Sequence, residues 1–451
     1  MLLIKTPVYS ALGKITKAMA FPTHVVHVET GMSPSHILSK YQIVIKDYKK
    51  IASLLKSNNA ELYLFYDSHP PGELPDKDQH ENIFLYTALK ATITHPWAQD
   101  LVHFAPTATE LYTTVCCSVG ITFGGANPKL PPFVYDQLVK NNIIDPGHYS
   151  YEPKTFPAGN AAIGFYDGNN YMIIGSSESC ELTLTQLSKK FNIAPDRIFT
   201  CKVEHKGKMI ENFFHLDLYL TIVGKNSKKV GEGAKELVLI AKAHGITEPY
   251  NTALEKASSN LQQEMKSVHI ERLPCIILPV NNVNCLYSYN NCLVENYILE
   301  NGDRKLCFYL PDFSEPMQDD LKQIKGPNRI ALLKEFNNAL EKAIDSLGID
   351  SNPFISSVLA EKEQFQNHKI LRKSGFQKKV TKGESEMLID TGESEIIKLA
   401  LGLQIIIEEQ LIKLGADDVR FIKGNFIGKA YAKGGLHCMV KVLERDLVHL
   451  E

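Results

Sequence analysis

Short apolar segments rich in β-branched and aromatic residues recur along this chain, separated by stretches whose apolar residues fall at helical spacing. Such alternation is incompatible with a pure helix bundle or a pure β-sandwich, and it calls for an α/β architecture. Ala18-Met-Ala-Phe-Pro22 reads as a strand entering a turn. Ile37–Lys56 has helical spacing and leads into the strand-like Glu61-Leu-Tyr-Leu-Phe-Tyr66. Tyr171–Gly175 is a short strand, Thr183–Phe191 a helix with Thr183 or Thr185 as its N-cap, and Arg197–Val203 a further strand. Leu216–Val223 and Cys275–Val280 have strand character, and Gly231–His244 between them is expected to be helical. Glu395–Leu414 is a long amphipathic helix closed by Gly415, and Asp418–Ile422 is a strand running into a glycine-rich loop. Units of the form β-β-α-β recur, which favours repeated modules over one doubly wound sheet.

The 451 residues, 44% of them hydrophobic, can bury a sizeable core without disulfide or metal staples. Basic and acidic side chains number 49 and 51. That balance leaves no electrostatic footprint for nucleic acid or an anionic membrane, so neither is an expected partner. No run approaches the ~18 apolar residues that a membrane span requires. Met1–Pro7 makes a poor signal peptide, because Lys5 interrupts its apolar residues and no small-residue cleavage site follows. The nine cysteines are odd in number and scattered, with Cys116 and Cys117 adjacent and no C-x-x-C pair. They read as free thiols of a reducing compartment, hence a cytoplasmic protein without a bound metal or other cofactor.

Residues 313–391 break the rhythm. They are polar and lysine-rich, with one strong helix over Arg329–Leu347 and a basic run over Lys369–Lys382. Connections within compact domains are normally a few residues long, so this stretch reads as an insertion with helical structure of its own. The basic run is either a solvated face or a lid or docking surface for a protein partner.

Two motifs carry chemistry. In Phe213-Phe-His-Leu-Asp-Leu-Tyr-Leu-Thr-Ile-Val-Gly224, His215 and Asp217 alternate with apolar residues and are expected on one face of a strand. A histidine and a carboxylate in an apolar strand carry a desolvation cost, met either by each other or by a functional role. In Lys433-Gly-Gly-Leu-His-Cys-Met-Val-Lys-Val-Leu-Glu-Arg445, two glycines admit a tight turn or a close ligand, and His437 and Cys438 are expected to begin a strand. A lone cysteine there is either core or nucleophile. The glycines and the adjacent histidine tilt the reading toward a site.

An H-x-D segment followed much later by G-G-x-H-C resembles the pentein superfamily of guanidino-group-modifying enzymes, which includes arginine and agmatine deiminases and amidinotransferases. Val8-Tyr-Ser-Ala-Leu-Gly-Lys-Ile-Thr-Lys-Ala-Met-Ala-Phe-Pro22 is similar to the opening strand of arginine deiminases. Ser288-Tyr-Asn-Asn-Cys-Leu-Val294 and Lys305-Leu-Cys-Phe-Tyr-Leu-Pro311 resemble strands of the family's last module. The resemblance implies one domain over residues 1–451, a five-bladed propeller of ββαβ modules, with 313–391 inserted in the last. It implies Cys438 as the nucleophile forming a covalent amidino-thioether, His215 as the proton-transfer partner, and Asp217 as a ligand of the guanidinium. Gly434, Gly435, His437 and Asn160 would line the substrate site, the substrate being a small or peptidyl guanidino compound.

The sequence departs from the family at two acidic positions. Val115 and Cys116 stand where an F-T-R-D-like motif has Arg and Asp, and Thr155-Phe-Pro-Ala-Gly-Asn160 offers Pro157 and Asn160 in place of a second acidic motif. One aspartate cannot satisfy the five donors of a guanidinium. Glu110, Glu152 and Asp167 are the nearby acids that would substitute. The alternative is a divergent pentein scaffold that acts as a binding protein.

Overall fold

The computed structural model describes residues 3–4, 11–20, 50–56, 59–66, 82–87, 98–100, 103–106, 113–118, 130–144, 150–152, 156, 158–175, 182–226, 235–280, 283–324, 327–347, 402–423, 435–446 and 448–449. Within them the fold is mixed α/β, with five separate sheets of three or four strands and two small two-stranded ribbons. The five sheets share a plan: an antiparallel pair is extended by a strand added in parallel. Ala161–Tyr166 pairs antiparallel with Asn169–Ile174, which pairs parallel with Ile198–Thr200. Helix Leu184–Phe191 makes the crossover that a parallel strand requires. The same order is found in His103–Pro106, Thr113–Ser118 and Ser150–Glu152 around helix Leu130–Lys140. It is found again in Leu293–Ile298, Arg304–Asp312 and Asp418–Lys423.

The fourth sheet runs Leu220–Lys225, Glu236–Gly245, Val268–Val280 and Val283–Ser288, with helix Tyr250–Glu264 as its crossover. Here the expected helix over Gly231–His244 is replaced by the strand Glu236–Gly245. Its first six residues are all buried. A strand covered on both faces loses its alternation and reads as a continuous apolar run, which periodicity cannot tell from a buried helix.

Local signals hold where they are strong. Thr183 caps its helix, with the Gln186 amide N–H donating to Thr183 Oγ1 at 3.3 Å and the Thr183 amide donating to Gln186 Oε1 at 3.0 Å. Residues 402–413 are helical and end at Gly415, whose φ of +107° is open to glycine at little cost. Helix Pro327–Leu347 covers the expected Arg329–Leu347 and places Leu332 and Phe336 in the main core, beside Leu321 from helix Ser314–Gln323. The basic run Lys369–Lys382 lies outside the described residues. Among the described residues no helix is long and apolar enough to cross a membrane.

The first sheet joins segments far apart in sequence. Ile15–Ala20 pairs in parallel with Glu61–Tyr66 and antiparallel with Val440–Arg445. Arg445, 3% exposed, donates to the carbonyls of Gly13 at 2.8 Å and Val294 at 2.9 Å. Glu295 Oε1 accepts the Ile15 amide at 2.6 Å, and its Oε2 accepts the Tyr309 hydroxyl at 2.6 Å. This buried network ties the Ile15–Ala20 sheet to the sheet of Leu293–Ile298 and Arg304–Asp312. Burial lowers the Arg445 pKa to about 10, against the raising effect of Glu295.

Glu236 is a second buried acid, bound by the Tyr171 hydroxyl at 2.7 Å. Burial pushes its carboxyl up to about 7, while the Tyr171 hydrogen bond, Lys225 and Arg304 pull the other way. A carboxyl raised in the folded state favours folding when protonated. Its stabilisation is present below the ordinary carboxylate value and is lost as the pH rises through about 7. Glu236→Gln should therefore match the parent near pH 4 and exceed its stability by about 3 kcal/mol at pH 8. Denaturant titrations at both pH values check this, and a difference that does not widen with pH refutes it.

Candidate active site

The H-x-D motif does not lie on a strand. His215 is extended and enters a 3-10 turn over Leu216–Leu218 that contains Asp217, and the strand begins only at Leu220. Phe213, Leu216, Leu218 and Tyr219 are all buried, so the segment packs on every side, and the apparent alternation carries no facial meaning. Two hydrogen bonds fix the turn: Ser288 Oγ donates to the Leu218 carbonyl at 2.5 Å, and the Tyr219 hydroxyl donates to the Cys201 carbonyl at 2.5 Å. His215 packs its ring on Phe214, with centroids 4.2 Å apart.

His437 and Cys438 likewise do not begin a strand. They occupy a single helical turn, Leu436–Met439, and the strand starts at Val440. Gly435 enters this turn against Asn291, where an added Cβ would lie 2.9 Å from Oδ1 and 3.0 Å from the asparagine Cβ. Any side chain there must displace Asn291 or move the turn, which accounts for a glycine at this position. Gly434 lies outside the described residues.

The two turns meet at Asp217. Its Oδ2 accepts from Cys438 Sγ at 3.1 Å and lies 3.1 Å from His437 Nδ1. Burial alone would raise the Asp217 carboxyl, but the hydrogen bond and charge of His437, with the charge of His215 and the Cys438 bond, hold it below its ordinary value. Asn291 closes the cluster: its Oδ1 accepts the Cys438 amide at 3.1 Å, and its Nδ2 lies 2.9 Å from Sγ. Asn291 belongs to neither of the two motifs. It stands within the Ser288–Val294 segment, yet nothing local marks it, because its partners come from residues 217, 437 and 438.

Beside the cluster is a cavity of about 80 Å³, bordered by Asp217, His437, Thr221, Asn290, Gln99 and Lys441 among others. It has room for several water-sized groups. Asp217 is the one carboxylate among its described lining residues. Its Oδ1 and the Oδ1 of Asn290 are buried acceptors without a hydrogen-bond partner among the described residues. Asn160 is fully buried in the turn Ala158–Asn160, which packs on the Asp217 turn, and neither atom of its side-chain amide has a described partner. Ala158 of that turn borders the cavity. Asp167 is exposed at the tip of the hairpin joining Tyr166 to Asn169 and so is no substitute acid. Glu152 ends the strand Ser150–Glu152, and Glu110 lies outside the described residues. Among the described residues no group of three or more His, Cys, Asp or Glu side chains could hold a metal ion.

No protein-family model and no curated protein matches the sequence. Solved structures do match in fold, deiminases among them. The agmatine deiminase of C. jejuni superposes with a TM-score of 0.52 at 12% identity, over 99% of this chain and 98% of that one. A putative arginine deiminase from Porphyromonas gingivalis gives a TM-score of 0.49 at 9% identity, over 97% and 98% of the two chains. At 12% identity the likeness to the C. jejuni enzyme establishes the fold alone.

Asp217→Asn tests the electrostatics of the cluster. The lowered carboxyl contributes stability above the ordinary carboxylate range and loses it as the pH falls through the folded-state value. The variant should be less stable than the parent at neutral pH and converge with it in acid. Removing the charge opposite Sγ should speed alkylation of Cys438 at pH 7 by about fivefold or more. Denaturant titrations and iodoacetamide kinetics with mass readout check both, and a slower reaction would refute the charge argument.

Proposed function

We propose that this protein is a cysteine-dependent hydrolase or amidinotransferase that cleaves a guanidino or amidino C–N bond through a covalent thioether. One observation carries the reading: in a deiminase fold, Asp217 Oδ2 gathers Cys438 Sγ and His437 Nδ1, each at 3.1 Å, beside a cavity lined by both polar and apolar side chains. We infer that the five sheets form the five blades of a propeller with this cavity between them, and the shared antiparallel-then-parallel strand order supports that arrangement. Free thiols fit a cytoplasmic site of action.

In this reading the Asp217 Oδ1 beside the cavity receives N–H groups of the substrate cation, and the cation favours transfer of the Cys438 proton to His215. Sulfur attacks the central carbon, forming a C–S bond, and the C–N bond breaks as His215 delivers that proton to the departing amine. His215 then takes a proton from water or an incoming amine, which attacks the same carbon. The C–S bond breaks, and His215 returns the proton to the released sulfur. His437, which also borders the cavity, holds Asp217 through its Oδ2. Asn160 and Asn290 contribute neutral amide groups where a second carboxylate is absent, which suits a substrate of single positive charge. That same shortage of carboxylates supports the second reading, a pentein scaffold that binds a ligand or partner without turnover.

Intact-mass analysis with a haloacetamidine probe, beside turnover assays on a panel of guanidino compounds, separates the two. The parent should take one adduct at Cys438. His215→Ala should slow its formation, and Cys438→Ser should abolish it while lowering any turnover by about a thousandfold or more. Cys438 is buried like the other described cysteines, but burial pushes the thiols of Cys201, Cys275, Cys292 and Cys307 up to about 12, and these should stay unlabelled. Equal labelling of several cysteines, independent of His215, would sink the enzymatic reading.

A further inference from the structure

We propose that Asn291 is the residue that stabilises the ionised sulfur of Cys438, donating its Nδ2–H to Sγ while the rest of the residue fixes the turn that carries the thiol. The inference rests on Cys438 as the nucleophile. The two ends of the Asn291 amide are told apart by chemistry rather than shape. The backbone N–H of Cys438 can only donate, and it meets Oδ1 at 3.1 Å. The atom 2.9 Å from Sγ is therefore the amide nitrogen, a donor. That nitrogen also lies 3.4 Å from the Asp217 carbonyl, and the Asn291 carbonyl accepts the His437 amide at 3.3 Å. At 1% exposure, these bonds do not exchange freely with water.

The neighbours of Sγ respond in opposite ways to its ionisation. Asp217 Oδ2, at 3.1 Å, is a good acceptor for an S–H group and a repelling charge for a thiolate. A hydrogen bond from Asn291 Nδ2 is weak toward a neutral thiol and strengthens when the acceptor becomes an anion. The proton on sulfur thus belongs to the Asp217 side, and the lone pairs left behind belong to the Asn291 side. Gly435 acquires a reason in the same terms, since a Cβ there would press on Oδ1 and turn the donor away from the sulfur.

Asn291→Asp is the informative change. It keeps the side-chain shape and the acceptor for the Cys438 amide, and replaces the donor facing Sγ with an oxygen. The rate of Cys438 alkylation by iodoacetamide across pH, followed by mass and peptide mapping, reports the thiolate fraction without any guanidino substrate. The midpoint should rise by about one pH unit or more, slowing alkylation near neutrality about tenfold, with the rate at high pH retained. A folded variant with an unmoved midpoint overturns the proposal. A second measurement uses the parent, labelled with ¹⁵N in asparagine. The Asn291 side-chain amide signal should titrate with the alkylation midpoint, and that titration should vanish in Cys438→Ser. An amide signal indifferent to the Cys438 titration overturns the proposal even if the aspartate variant fails to fold. A shifted midpoint in a protein that turns over no guanidino compound would uphold Asn291 and reject only the reaction proposed above.

Discussion

The antiparallel pairing of Val440–Arg445 with Ile15–Ala20 is the constraint on which the site depends. Cys438 stands two residues before this strand, so the register of the pair decides where the thiol points. A slip of one residue would exchange the faces of the strand and rotate the turn that precedes it. Two features resist such a slip. Lys17 Nζ bonds Glu444 Oε2 at 2.7 Å on the partly exposed side, a contact of modest worth. Arg445 and Glu295 act from within, spending their hydrogen bonds on main-chain groups and on Tyr309. Removing either partner from a buried network of that kind typically costs about 3–5 kcal/mol, because the remaining polar groups stay buried.

Asp217 is the one carboxylate among the described residues bordering the cavity, which Lys441 and Arg445 also line. A buried carboxylate is costly unless hydrogen-bonded, and Asp217 meets that cost through one oxygen, Oδ2, shared between His437 and Cys438. The other oxygen is held in reserve beside the cavity. Asn290 borders the same cavity, Asn291 bonds the Cys438 turn, and Asn160 lies in a turn packed on that of Asp217; none of the three adds charge. A site with one carboxylate and several amides discriminates by hydrogen-bond pattern more than by Coulomb attraction.

Much of the fold and the core of the site were legible in the sequence, because their signals are local. Thr183 with Gln186 three positions on, Gly415 after an amphipathic helix, and Asp418–Lys423 as a strand all follow from short-range chemistry. The motifs name Asp217, His437 and Cys438, which lie in contact, although the pairing they suggest is Cys438 with His215. Their local geometry was not legible. Both the His215–Asp217 segment and the Leu436–Met439 turn are packed on several sides, and burial from all directions erases the alternation that distinguishes a strand. Glu236–Gly245 was misread for the same reason. Asn291 was invisible for a different one. Its role is defined by three residues brought from distant parts of the chain, and a lone asparagine in a turn carries no mark of what folding will set beside it.

The closing strand also has a consequence in time. Synthesis delivers Ile15–Ala20 early and Val440–Arg445 only after every sheet between them. Until the late strand docks, Asp217 has no sulfur to engage and Asn291 no amide to receive. A nascent or partly unfolded chain therefore lacks the arrangement around Cys438, which forms only when that strand docks. Local opening of that single strand would part Cys438 from Asp217 and Asn291 while leaving contacts elsewhere in the core in place.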